Sequence, residues 1–155
     1  MNKWLKCWQE LKGKHPKALL YTMSALFPMT IMLVVWFFMG SYPFGNKSLM
    51  AVDFGQQYIS FFGLLKNAVL TGDLSSLTYS FTKSLGGDMI GVLGYYLMSP
   101  FNIFYIIIPF KHYGLAVFLT IWLRYGAIGL SFSHFLIKRY KGAESRMWLV
   151  PLFAT

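Results

Sequence analysis

Residues 18–40 contain no charged side chain, and no other feature of the sequence restricts the fold so strongly. At ~1.5 Å of rise per residue a helix of this length crosses a hydrocarbon core ~30 Å thick, with some tilt. Residues 18–40 are therefore expected to form a transmembrane helix. Pro28 lies inside the run, where a kink is tolerated if neighbouring helices satisfy the freed carbonyl. A cleaved leader fits poorly, because the apolar core of a signal peptide is roughly 7–15 residues long and Phe38 is a poor residue three before a cut after Gly40. The composition agrees with a membrane protein: 56% of residues are apolar, 19% aromatic and 12% charged, against about 25% charged in soluble domains. A net charge of +9 would suggest nucleic-acid binding in a soluble domain, but here the placement of the charges carries the information. No nucleic-acid partner is expected. Cys7 is the only cysteine, which excludes an internal disulfide.

Charge sets the topology. Lys3, Lys6, Lys12, Lys14 and Lys17 precede the first helix against Glu10 alone, so residues 1–17 form a basic segment that the positive-inside rule places in the cytoplasm. Two more apolar regions follow, 89–110 and 113–137. If both cross, six basic residues lie inside and seven outside; if only the second crosses, nine lie inside and four outside, with Arg124 in the membrane. The second arrangement is preferred, and Pro100 supports it by dividing 89–110 into two short apolar pieces of re-entrant length. The expected organisation is an all-α membrane protein. A helix at 18–40 leads to a long extracytoplasmic loop, 41–112, with an interfacial helix at 52–70 and half-helices within 89–110. A return helix at 113–137 and a basic cytoplasmic loop at 138–146 follow. The apolar run 147–155 is too short to cross and reads as the start of a further helix, which marks the chain as the N-terminal part of something longer.

Within the loop, Phe54, Tyr58, Phe61, Phe62, Leu65 and Val69 share a helical face, opposite Asp53, Gln56, Gln57, Ser60 and Asn67. Thr71-Gly72-Asp73 reads as the helix stop. A polar stretch, 73–88, ends in Gly86-Gly87-Asp88, a pattern for a tight turn or a close backbone approach to a ligand.

The external segment holds three acids, Asp53, Asp73 and Asp88. A carboxylate at a membrane boundary can serve as a general base toward a hydroxyl or ligate a divalent cation. The competing reading for Asp53 is an acid opposing a helix dipole, and for Asp73 a solvated loop. Arg124 lies mid-span, where charge is expensive and generally finds a partner; it suits a lipid phosphate or an acid on another helix. Lys83 could meet a diphosphate, although solvation is the simpler reading, and His134 is expected to be structural. Phosphate-cradling glycine loops, Cys/His metal patterns and nucleophile elbows are absent from the sequence, so no cofactor is assigned beyond the divalent cation that the acids would suit.

The blocks YPFGNKSLMAVDFGQQYISFF, YSFTKSLGGDMIG and YYLMSPFNIFYIIIP, in that order between residues 42 and 138, resemble the N-terminal region of the YfhO family of bacterial multi-pass membrane proteins. The resemblance implies a GT-C-like fold and glycosyl transfer from a polyprenyl-phosphate-linked sugar to a cell-envelope polymer such as lipoteichoic acid, at the bacterial plasma membrane. By position it implies Asp53 as the general base and Asp88 as a second catalytic candidate. Gln56, Gln57 and Tyr58 would bind sugar or acceptor, membrane lipid would lie along the aromatic face, and Lys83 or Arg124 would offset phosphate charge. A family member runs to several hundred residues, so this length of chain is expected to be inactive alone. A lipid-linked sugar transporter or flippase, and a non-catalytic assembly subunit, are the alternatives.

Overall fold

The computed structural model of the chain describes residues 16–81 and 86–140 and is mostly helical. The expectations for residues 1–15 with Cys7, for Lys83, and for 141–155 with its terminal apolar run fall outside the described residues. The chain divides into two compact units, one formed by Met1–Phe38 with Trp122–Thr155 and the other by Met39–Ile121. Among the described residues two helices are long and apolar enough to cross a membrane, Lys17–Met39 and Phe110–Arg139.

The first unit pairs helix α1 (Pro16–Met39) with the part of helix α5 (Tyr113–Arg139) that follows Trp122. Pro28 has no N–H, so the Ser24 carbonyl four residues earlier loses its helical donor. That carbonyl is pressed against Gly129, where an added Cβ would collide with it and stand 3.3 Å from Pro28 Cγ. Gly126 meets the Met29 side chain in the same way, and the Trp122 indole donates to the Met29 carbonyl at 3.1 Å. The helices therefore approach closely through small residues, with Ser24 and Ser133 fully buried, as expected where lipid supplies no hydrophobic drive between helices. Thr22, Thr30 and Ser131 satisfy their hydroxyls on the carbonyl one turn back, which lets polar residues sit in an apolar helix. Large apolar side chains such as Leu26, Phe37, Ile128 and Phe135 are left exposed, the pattern of a surface solvated by lipid.

In the second unit Gly40, at φ +64°, closes α1 in the left-handed conformation, and a tight loop follows in which Lys47 N–H donates to the Gly40 carbonyl and Tyr42 N–H to the Lys47 carbonyl. A π-helical turn (Phe54–Tyr58) runs directly into α2 (Ile59–Thr71), which Gly72 terminates at φ +75°. A 3₁₀ turn (Leu74–Leu77) leads to a two-residue antiparallel hairpin, β1 (Tyr79–Ser80) with β2 (Gly87–Asp88), in the register Tyr79 to Asp88 and Ser80 to Gly87. Then come α3 (Ile90–Val92), a second π-helical turn (Leu93–Leu97), a 3₁₀ turn opened by Pro100, α4 (Ile103–Ile107) and the start of α5.

The apolar pieces Ile90–Leu97 and Pro100–Ile107 meet at 88°. Asn102, 1% exposed, explains why the corner is stable: its amide donates to the Tyr96 carbonyl at 2.7 Å and the Leu97 carbonyl at 3.1 Å, both left without helical donors where the first piece ends. The core of the unit packs Phe62, Leu65 and Ala68 of α2 with Leu77, Leu97 and Tyr105 and with Tyr113, Ala116 and Val117 of α5. Phe62 and Tyr105 stack with centroids 3.9 Å apart, and the Tyr113 hydroxyl donates to the Tyr105 carbonyl.

Candidate functional site

Two π-helical turns meet at a tyrosine pair. Tyr58 closes the first turn and Tyr96 sits in the second, with ring centroids 4.5 Å apart, and Phe54 and Phe61 pack beside them. An α-helix widened to i→i+5 bonding re-aims its side chains, and such turns concentrate at functional sites. The first turn follows Val52, at φ +51°; a β-branched residue in the left-handed region carries about 1–3 kcal/mol of strain that the surroundings must hold in place.

Asp53 is next in the chain and occupies the N-cap position of this turn, yet its side chain makes no capping hydrogen bond and is exposed. The other external acids differ. Asp73 accepts from the Ser75 N–H at 3.1 Å and from the Ser75 hydroxyl, capping the 3₁₀ turn, while Asp88 accepts from the Ile90 N–H at 3.1 Å at the start of α3. Asp73 and Asp88 thus have local structural work, whereas the Asp53 carboxylate is held next to the aromatic cluster without it. Its charge reaches Tyr96: a hydrogen bond to Tyr58, then burial, then the charges of Tyr58 and Asp53 hold the Tyr96 phenol above its ordinary value.

Of the residues proposed from sequence, the structure brings together Asp53 and Tyr58, with Gln56 and Gln57 exposed on the same turn. Asp88 is placed in the hairpin as a cap, with Gly86 at φ +98° lying against the Tyr79 hydroxyl. Arg124 is half-buried in the α1/α5 unit. No three His, Cys, Asp or Glu side chains converge among the described residues.

Sequence reasoning missed Tyr96 and Lys66. Lys66, 8% exposed, donates to the Ile108 carbonyl at 2.6 Å and lies over the Phe110 and Tyr113 rings at 5.1 and 5.8 Å. It caps the C-terminal end of α4 with a positive charge, where the helix dipole favours one. Its spacing of four from Phe62 was the available signal that it faces the core.

The family model for the bacterial membrane protein YfhO matches residues 24–155. This chain belongs to the YfhO family. The match covers most of the first span, all of the second, the tyrosine pair and Asp53, so a membrane location for this YfhO chain follows from the family and from the two apolar helices together. Neither a curated protein nor a solved structure matches it.

Proposed function

We propose that this YfhO chain carries the acceptor-activating part of a polytopic glycosyltransferase that moves sugar from a polyprenyl-phosphate donor to a cell-envelope polymer such as lipoteichoic acid. The observation that carries the reading is Asp53: an acid at a helix N-cap position that makes no cap, behind a strained Val52 and beside the Tyr58–Tyr96 pair. In the reaction the acceptor hydroxyl gives its proton to the Asp53 carboxylate and its oxygen bonds to the anomeric carbon. The bond from that carbon to the phosphate oxygen breaks, and the phosphate departs with the electron pair. Tyr58, Gln56 and Gln57, on one turn, orient the acceptor or sugar hydroxyls. A cation must offset the charge growing on the leaving phosphate, and Lys83 is the candidate on the same loop. In this reading residues 41–112 face outward, the bent pair enters the membrane without crossing it, and the basic N-terminus is cytoplasmic.

The bend of 88° favours one rival, a transporter of lipid-linked sugar, because half-helices meeting at a corner also build substrate cavities. Membranes containing the protein, supplied with radiolabelled polyprenyl-phosphate sugar and polymer acceptor, separate the two. Label moving covalently onto polymer, and lost in Asp53→Asn, supports transfer; label that changes leaflet but stays on lipid assigns transport.

A further inference from the structure

A groove of about 550 Å³ opens in the α1/α5 unit, lined among the described residues by Tyr21, Leu130, Ser131 and His134. It lies at the Lys-rich end of both spans. Tyr21 is four residues from Lys17, which begins the first span, and His134 is four residues from Lys138, so these two residues each share a helix face with a cation one turn nearer the membrane edge. Four residues amount to ~6 Å of helix, which puts the groove at the boundary between hydrocarbon and headgroups.

The polar groups in the groove are set up to receive an anion. The Tyr21 hydroxyl and His134 Nδ1 are 3.0 Å apart. If Tyr21 donates, the neutral imidazole carries its proton on Nε2; if Nδ1–H donates, the Tyr21 O–H is released. Either tautomer leaves one donor over. Ser131 already donates to the Ala127 carbonyl at 2.7 Å, which fixes its hydroxyl on the helix. Leu130 supplies an apolar wall.

We infer that this groove binds the phosphodiester headgroup of an anionic phospholipid, with the donor left by the Tyr21–His134 pair on a phosphate oxygen, Lys17 and Lys138 above it and the acyl chains passing Leu130 into the bilayer. Complementary charge identifies the occupant. Both helices carry a lysine one turn nearer the membrane edge, Lys17 and Lys138, and a basic pocket between transmembrane helices is a recurrent anionic-lipid site. The site is independent of the proposed transferase chemistry.

The test is lipid binding by native mass spectrometry, with the purified chain in neutral detergent titrated with phosphatidylglycerol or phosphatidylcholine. Wild type is expected to bind the first phosphatidylglycerol about tenfold more tightly than phosphatidylcholine. The double variant Tyr21→Phe/His134→Ala removes every donor of the pair and should weaken both lipids about fivefold, the value of one hydrogen bond to the phosphodiester they share, whereas Lys138→Ala should reduce the preference for phosphatidylglycerol. Tyr21→Phe/His134→Phe, which keeps a ring at each position, decides the question if the alanine variant does not fold. Equal binding of the two lipids overturns the proposal. So does a phosphatidylglycerol affinity that Lys138→Ala lowers while the double variant leaves it unchanged, because surface charge alone then accounts for binding. Displacement by inorganic phosphate at the concentration of the lipid also overturns it, since a free anion would then be the occupant.

Discussion

Gly129→Ala is the smallest change that tests how the two spans pack. The added Cβ would lie 2.8 Å from the Ser24 carbonyl carbon, nearer still to its oxygen, and 3.3 Å from Pro28 Cγ. Backbone cannot rotate away as a side chain can, so the helices must separate by about 1 Å, losing contacts along the Ser24, Pro28 and Gly126 seam. Overpacking costs about 1–3 kcal/mol, and a clash with unyielding backbone belongs at about 2–3; the helix propensity of about 1 kcal/mol that Ala gains over Gly leaves a net cost of about 1–2 kcal/mol. At 2–4 °C per kcal/mol for a chain of this size, the net midpoint loss is expected to be about 2–8 °C. Thermal unfolding of the purified protein in detergent, followed by Trp fluorescence, measures it. Gly94→Ala is the control, because nothing lies within 4 Å of its Cβ position, and it should be neutral or stabilising. The cause assigned to the clash makes a sharper demand: in a Pro28→Ala background the N–H at 28 recovers the Ser24 carbonyl, and Gly129→Ala should cost less than in wild type. Gly129→Ala within 1 °C of wild type, or an equal cost in both backgrounds, would refute the reasoning.

Asn102→Ala leaves the Tyr96 and Leu97 carbonyls without its amide donor in a buried corner, and should destabilise by about 1–3 kcal/mol, read as a lower thermal midpoint and earlier proteolysis near the bend. Lys66→Met keeps the aliphatic stem but removes the donor to the Ile108 carbonyl and the charge over Phe110 and Tyr113. The expected loss is about 1–3 kcal/mol by the same melt, and a midpoint equal to wild type would discard the capping role. Tyr96 has a folded-state pKa above its unfolded value of 10.0, so the stability it contributes is complete below pH 10 and is lost as pH rises through the folded value. Stability of wild type should therefore fall more steeply above pH 10 than that of Tyr96→Phe; identical alkaline slopes would contradict the Tyr58–Tyr96 bond.

The spans were legible because bilayer thickness leaves few alternatives for a charge-free run, and residues 18–40 meet that requirement by length alone. The wall of α2 was only half legible. A regular period through residues 52–70 puts Val69 on the face of Phe62 and Leu65, yet Val69 is exposed near the end of α2 while Lys66 and Ala68 are buried, and the π-turn Phe54–Tyr58 shifts only the residues before Ile59 relative to them. Nothing in local propensity announces a π-turn, since it is set by tertiary contacts. The Asp53–Tyr58 end of the site could be read as a polar cluster in an apolar chain. Tyr96 could not, because its partner is 38 residues away and the corner that presents it depends on Asn102, an unremarkable residue in sequence. The sequence offered Asp53 and Asp88 as candidate acids and Asp73 as a solvated loop residue; hydrogen bonding further separates Asp88, which accepts the Ile90 N–H, from Asp53, which makes no cap.

The central claim is that the Asp53 carboxylate acts as a base in sugar transfer. The sugar content of purified lipoteichoic acid, measured by mass spectrometry, tests it in a strain lacking the encoding gene and complemented with wild type or Asp53→Asn at matched membrane abundance. The Asn side chain preserves size and polarity and removes only the base, which for general-base catalysis is worth about 10²–10⁴ in rate. Sugar restored by wild type and absent with Asp53→Asn is the predicted result. Full restoration by both would contradict the account and leave Asp53 a surface carboxylate.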